Sequence, residues 1–160
     1  MNGLLEKMGF EETKNKEDAD LILFNTCAVR EHAEQKILGN LGALVKNKRE
    51  NPDLKIFLCG CMFQQNHVVD KIKKYKHVDM IMGTHALSRF PENIYKLLTG
   101  EKKVVDADDE DTLPLENVPV KREDGLKAWV TVMSGCNNFC SYCIVPYVRG
   151  REKSRKPEEI

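Results

Sequence analysis

Ala19-Asp20-Leu21-Ile22-Leu23-Phe24-Asn25 decides the fold: it is a continuous apolar run closed at both ends by polar residues. Such a run suits a strand covered on both faces of a parallel sheet, since a strand with one wet face would alternate instead. Cys27 follows its carboxyl end. Downstream, Ala33, Ile37, Leu41, Leu44 and Val45 keep to one stripe of a helix expected over 29–46, with Glu31, Glu34, Gln35 and Lys36 outside it. Asn51-Pro52-Asp53 then breaks the chain, and Lys55-Ile56-Phe57-Leu58-Cys59 repeats the buried strand before Gly60-Cys61. The cycle runs on through a helix over 65–75 with Val68, Val69 and Ile72 inward, strand Val78-Asp79-Met80-Ile81-Met82, turn Gly83-Thr84-His85, and a helix over 86–98. Upstream, Leu4, Leu5 and Met8 have helical spacing and Gly9 stands where a helix C-cap would, so the chain is expected to open inside a helix. Strands alternating with helices at this spacing place the chain in the α/β class, as a doubly wound, Rossmann-like parallel sheet with right-handed crossovers.

Parallel strands bring all their carboxyl ends to one edge, which is where open α/β sheets bind ligands. Cys27 and Cys61 each come directly after an expected strand, so both belong on that rim. Two readings stand for them: ligands, or small buried hydrophobes. Cys59, two residues before Cys61 in a strand, should point into packing.

A chain of 160 residues has room for one domain and part of another. Basic and acidic residues balance at 25 each, so the overall field gives no hint of nucleic acid. No signal peptide or membrane-spanning run is visible, which leaves a cytoplasmic chain with no membrane partner as the expectation. In a reducing cytoplasm, six cysteines read as metal ligands or reactive thiols before disulfides. From Gly100 periodicity disappears, and Asp106-Ala107-Asp108-Asp109-Glu110-Asp111 with Pro114 and Pro119 reads as a solvated spacer. The expected division is an α/β domain over 1–99, an acidic linker over 100–126 and the start of a second domain over 127–160.

The second domain opens with the strand-like Ala128-Trp129-Val130-Thr131-Val132-Met133, in which Trp129 is expected in the core. It runs directly into Gly135-Cys136-Asn137-Asn138-Phe139-Cys140-Ser141-Tyr142-Cys143. The spacing C-x-x-x-C-x-x-C supplies three thiolates, whereas structural zinc prefers a closed set of four. On a 4Fe-4S cluster, three cysteine ligands leave one iron open to a small chelating molecule. Arg149, Arg151 and Arg155, with Lys153 and Lys156, make a locally basic patch facing RNA or a cofactor, or else an ordinary salt-bridged surface beside Glu152, Glu158 and Glu159. His32, His67, His77 and His85 show no paired metal spacing and read as surface or turn residues.

The cysteine loop with Tyr142 before its last thiol resembles the radical S-adenosylmethionine signature. The longer strings Ala128-Trp129-Val130-Thr131-Val132-Met133-Ser134-Gly135-Cys136 and Tyr142-Cys143-Ile144-Val145-Pro146-Tyr147-Val148-Arg149-Gly150-Arg151-Glu152 resemble the methylthiotransferase family, in its MiaB-type tRNA branch. The resemblance implies that Cys136, Cys140 and Cys143 hold a 4Fe-4S cluster, that S-adenosylmethionine chelates its open iron, and that Tyr142 flanks the adenine. It implies an auxiliary 4Fe-4S cluster on Cys27 and Cys61, since Asn25-Thr26-Cys27-Ala28-Val29-Arg30-Glu31 and Gly60-Cys61-Met62 are similar to the family's segments. On a shared cubane the two sulfurs are expected roughly 6–7 Å apart.

The family's first strand and the first of its three auxiliary cysteines, and most of its β/α barrel beyond the first strand and cluster loop, are expected to have no counterpart here. These residues alone are therefore not expected to turn over substrate. The implied activity of the whole is radical methylthiolation of the adenine of N6-isopentenyladenosine beside a tRNA anticodon. An electron donor such as flavodoxin or ferredoxin and a monomeric state go with it. The alternatives are the sister enzyme acting on a ribosomal-protein aspartate, and a noncatalytic zinc- or RNA-binding module.

Overall fold

The structure is a computed structural model that describes residues 1–30, 32–108, 119, 121, 125 and 127–160. Most of the expected 100–126 linker, including 109–111 of its acidic run, lies outside the described residues. The first helix, α1 (Asn2–Lys7), ends where the sequence indicated: Gly9 takes φ 90, and the Phe10 N–H returns to the Leu5 carbonyl at 3.0 Å. The chain then alternates through β1 (Leu21–Thr26), α2 (Ala33–Glu50), β2 (Lys55–Gly60), α3 (Asn66–Lys73), β3 (Met80–Met82), α4 (Phe90–Leu98) and β4 (Val104–Asp106). The four strands form one parallel sheet in the order β1-β2-β3-β4.

Alternate side chains divide the core between two faces. Ile56, Leu58 and Ile81 meet Ile37, Leu41 and Leu44 of α2 and Val68, Val69 and Ile72 of α3. Phe57, Cys59, Met80 and Met82 meet Phe90, Ile94 and Leu97 of α4, with Leu4 and Leu5 of α1 packed beside them. The sheet is thus covered on both sides, as a doubly wound arrangement requires. Handedness departs from expectation. The step from β3 to β4 continues in the same direction as the two before it, yet α4 covers the opposite face, so its crossover has the opposite hand to theirs. A 3-10 passage, Thr84–Arg89, carries the chain over the rim to reach that face, and α4 starts only at Phe90, with Pro91 in its first turn.

Two further expectations are corrected. β1 stands at the sheet edge and is only half-buried, because neither flank closes over it as it does over β2. β4 lies inside the stretch read as spacer: Asp106 is buried, accepting hydrogen bonds from Arg89 Nε at 2.9 Å and Asn93 Nδ2 at 2.6 Å, which ties β4 to the start of α4. Below the sheet, the buried Asp79 carboxylate takes the Ile56 N–H at 2.8 Å and the Lys48 ammonium at 3.1 Å. Lys48 also donates to the Leu54 carbonyl, so the end of α2 is fastened to β2 and to the loop before β3. No helix among the described residues is long and apolar enough to cross a membrane.

The carboxyl-terminal segment is small. β5 (Met133–Ser134) pairs antiparallel with β6 (Lys153–Ser154), and the short α5 (Val145–Arg149) lies between them. Residues 128–132 do not join a ladder. Trp129, expected in the core, is 98% exposed, while the end of that run is tied to Arg155, whose backbone N–H donates to the Val132 carbonyl and whose guanidinium donates to the Thr131 carbonyl, each at 2.9 Å. α5 is docked: Val148 is 2% exposed and Pro146 is buried, and the helix sits against the 3-10 turn Cys61–Gln64 and the passage Thr84–Arg89.

Candidate metal and cofactor centre at the sheet rim

Thr26 and Gly60 are partners in the parallel register, so Cys27 and Cys61 leave the sheet side by side. Gly60 makes the exit possible. Its backbone, at φ 118 and ψ 175, lies in a region reserved for glycine, and a Cβ there would strike the Thr26 carbonyl oxygen. The turn that follows sends the Cys61 sulfur toward the loop after β1, where it accepts the Ala28 N–H at 3.2 Å. Cys27 in turn accepts hydrogen bonds from the Val29 and Arg30 backbones and from the Cys61 thiol. Burial pushes the Cys27 thiol up, but these donors and the Arg30 guanidinium outweigh it and bring the group below the usual thiol range. The expected rim placement of both thiols is met.

Cys59 behaves as its parity required. It is fully buried on the opposite face beside Phe57 and Met80, and burial pushes its thiol up to about 12, with the terminal amine opposing only slightly. Its sulfur belongs to the packing of that face.

The second set of thiols is carried by the β5–β6 ribbon. Gly135, at φ 74, has no room for a Cβ against the Arg151 carbonyl. Cys136 N–H bonds to the Gly150 carbonyl at 3.2 Å, and Cys143 N–H closes a turn on the Cys140 carbonyl at 2.9 Å. All three cysteines are free thiols; Cys136 and Cys143 are half-buried and Cys140 is exposed. Tyr142 is exposed beside them. Since α5 begins two residues after Cys143 and docks on the turn that begins with Cys61, a short connection links the two sets.

Between sheet rim and ribbon lies a cavity of about 700 Å³, whose lining includes Cys61, Thr84, His85, Arg149, Lys153 and Arg155. No Asp or Glu is among its described lining residues, although the chain as a whole is neutral. Lys121, which also lines it, is paired with Glu6 and Glu12, each at 2.7 Å. Arg149 and Arg155 thus face the cavity, while Arg151 lies over the Phe139 ring, 5.9 Å from its centroid. His85 reaches the cavity, His77 donates from Nε2 to the Leu41 carbonyl at 2.9 Å, and His32 and His67 are exposed. Thr84, Lys121 and Phe139 were not singled out by the sequence; only the topology brings the first two to the cavity, and no local pattern announces the third.

Among the described residues no three His, Cys, Asp or Glu converge on a position for a single metal ion. The donor set nonetheless suits iron–sulfur chemistry: free thiols, one of them biased toward thiolate by backbone donors, on loops whose cysteines a cubane would need at wider spacing than one ion.

The model of Uncharacterized protein family UPF0004 matches residues 1–83. The tRNA-2-methylthio-N(6)-dimethylallyladenosine synthase of Acetivibrio thermocellus is 56% identical over 159 residues, which is 99% of this chain and 33% of that protein. The synthases of that name from Clostridium beijerinckii and Caldicellulosiruptor saccharolyticus are 51% and 52% identical over 100% and 99% of the chain and 35% and 34% of their own lengths. The chain therefore spans about a third of the length of the curated relatives it matches.

Proposed function

Because this chain belongs to the Uncharacterized protein family UPF0004 and carries two thiols at its sheet rim and three on the loop that leads into the docked α5, we propose that it serves in a tRNA methylthiotransferase. The substrate is tRNA bearing N6-isopentenyladenosine beside the anticodon, and the net change replaces a ring hydrogen by a methylthio group. The observation that carries this reading is the docking of α5, which begins two residues after the three-cysteine loop, on the turn beginning at Cys61. Identity to synthases of that activity along the whole chain supports it.

In this reading Cys136, Cys140 and Cys143 hold one 4Fe-4S cluster, and Cys27 and Cys61 contribute to a second whose remaining ligand is not among the described residues. Bound there, the first supplies single-electron reduction of the sulfonium of S-adenosylmethionine and the second supplies sulfur. The chain's own residues do the rest. Tyr142 flanks the adenine of the cofactor. Arg149, Lys153 and Arg155 give the cavity its positive lining, suited to phosphate oxygens. Backbone donors orient the rim sulfurs, Ala28 on Cys61 and Val29 and Arg30 on Cys27, whose thiol they bring below its usual range. A flavodoxin or ferredoxin as donor, a monomeric state and a cytoplasmic site of action belong to the same proposal.

Anaerobic reconstitution tests the centres: iron and sulfide bound at cluster stoichiometry are expected, and a colourless chain with stoichiometric zinc would point to a noncatalytic module instead. Mass spectrometry of tRNA nucleosides from cells lacking the full-length gene tests the substrate. Loss of the methylthio nucleoside is expected; its persistence, with loss of a methylthio group from a ribosomal-protein aspartate, would move the assignment to the sister activity.

A further inference from the structure

Phe139 has φ 46, in the left-handed region that L-residues with a Cβ avoid and that a bulky aromatic residue adopts only when its surroundings impose it. Burial does not impose it here, since Phe139 is 44% exposed and its neighbour Tyr147 is 68% exposed. Specific contacts do. The Phe139 ring meets Tyr147 edge to face, with centroids 5.8 Å apart and planes at 86°, and the Arg151 guanidinium carbon lies 5.9 Å from its centroid. The backbone around the ring is tied to the same short segment. Cys136 N–H bonds to the Gly150 carbonyl, the Glu152 N–H donates to Asn137 Oδ1 at 3.1 Å, and Gly135 presses against the Arg151 carbonyl. Residues 150–152 are therefore a backrest for the first half of the cysteine loop, and the one unfavourable dihedral in that half is at the residue directly before Cys140.

We propose that Arg151 and Tyr147 are positioning residues: by clamping the Phe139 ring they hold the left-handed bend that sets where Cys140 stands relative to Cys136 and Cys143. Strain of this kind persists where the surrounding structure over-determines it, and it clusters at ligand clamps and active sites. This account removes Arg151 from the RNA-facing patch and gives it work within the loop. It rests on the reading that the loop binds an iron–sulfur cluster, and one of its three measurements needs no cluster.

The test uses the 160-residue chain and the variants F139A, F139G, R151Q and R151K under argon. In the cluster-free chain, alkylation rates of Cys136, Cys140 and Cys143 are followed by mass spectrometry. After reconstitution, the half-time of iron loss to a chelator and the electron paramagnetic resonance of the reduced cluster are recorded. F139A and R151Q are expected to lose iron about tenfold faster, the population change that matches the strain of a left-handed residue no longer held. They are also expected to shift the resonance and the relative alkylation of Cys140. R151K keeps the cation without the planar face and recovers part of the effect. F139G is the discriminating variant, because glycine reaches the bend unaided and should lie between wild type and F139A. Wild-type behaviour of F139A and R151Q in all three measurements would overturn the clamp, and so would F139G falling below F139A, which would mean that the ring acts by packing alone. If wild type takes up no cluster the functional reading fails, while the alkylation pattern still decides the clamp.

Discussion

Gly60→Ala should be among the most damaging small substitutions in the sheet, and the structure gives its size. At φ 118 and ψ 175 an alanine carries strain of about 1–3 kcal/mol. Its Cβ would also overlap the Thr26 carbonyl and approach Asn25 Oδ1 to 2.9 Å, and displacing a strand end to relieve that costs about 1–3 kcal/mol more. A total near 4 kcal/mol is a large share of the roughly 5–15 kcal/mol that stabilises a domain, and corresponds to a fall in Tm of about 10 °C. Gly42→Ala is the control. It sits in the middle of α2, nothing lies within 4 Å of its would-be Cβ, and helix propensity alone should stabilise by about 0.5–1 kcal/mol. Urea unfolding followed by circular dichroism reads both, and the two variants should move the midpoint in opposite directions. If Gly60→Ala unfolds within about 0.5 kcal/mol of wild type, the exit geometry assigned to Cys61 is wrong.

Asp79→Ala leaves the Lys48 ammonium and the Ile56 N–H without their shared acceptor in a mostly buried site, so a loss of about 3–5 kcal/mol is expected in the same assay; a loss under 1 kcal/mol would show that water reaches the pair. At Asp106, burial pushes the carboxyl up, but hydrogen bonds from Arg89 and Asn93 and the Arg89 charge outweigh it and hold it below its usual 3.8. A depressed carboxylate contributes stability that is fully present above the unfolded value and disappears as pH falls through the folded one. Wild type should therefore lose stability below about pH 4 more steeply than Asp106→Asn, and parallel curves over that interval would contradict the assignment.

The parts of this architecture that could be read in advance are those where hydrophobic runs and topology suffice. Leu21 to Phe24 and Ile56 to Cys59 announce strands by composition, and once two strands are parallel, thiols that follow them must share a rim, so Cys27 and Cys61 were placeable without any contact information. β4 escaped because Val104 and Val105 are too few to register as a run, and Asp106 looks like the first residue of an acidic spacer until Arg89 and Asn93 are folded around it. Trp129 misled in the opposite sense: an aromatic residue in an alternating stretch reads as core, yet whether anything covers it depends on chain elsewhere. Arg151 and Arg155 are indistinguishable as letters in one basic patch, and only the ribbon sends one to an aromatic ring and the other to the cavity. The bend at Phe139 is a backbone angle that no residue pattern encodes.

A helix of five residues such as α5 has no independent stability in water, where single turns melt as fast as they form. Its order is lent by the surface beneath Val148, so when that surface loosens the helix frays, and when the helix frays the flank of the surface is wetted. The loop and the rim should accordingly open and close to solvent deuterium as one cooperative unit, with matched protection at Val148 and across the turn that follows β2.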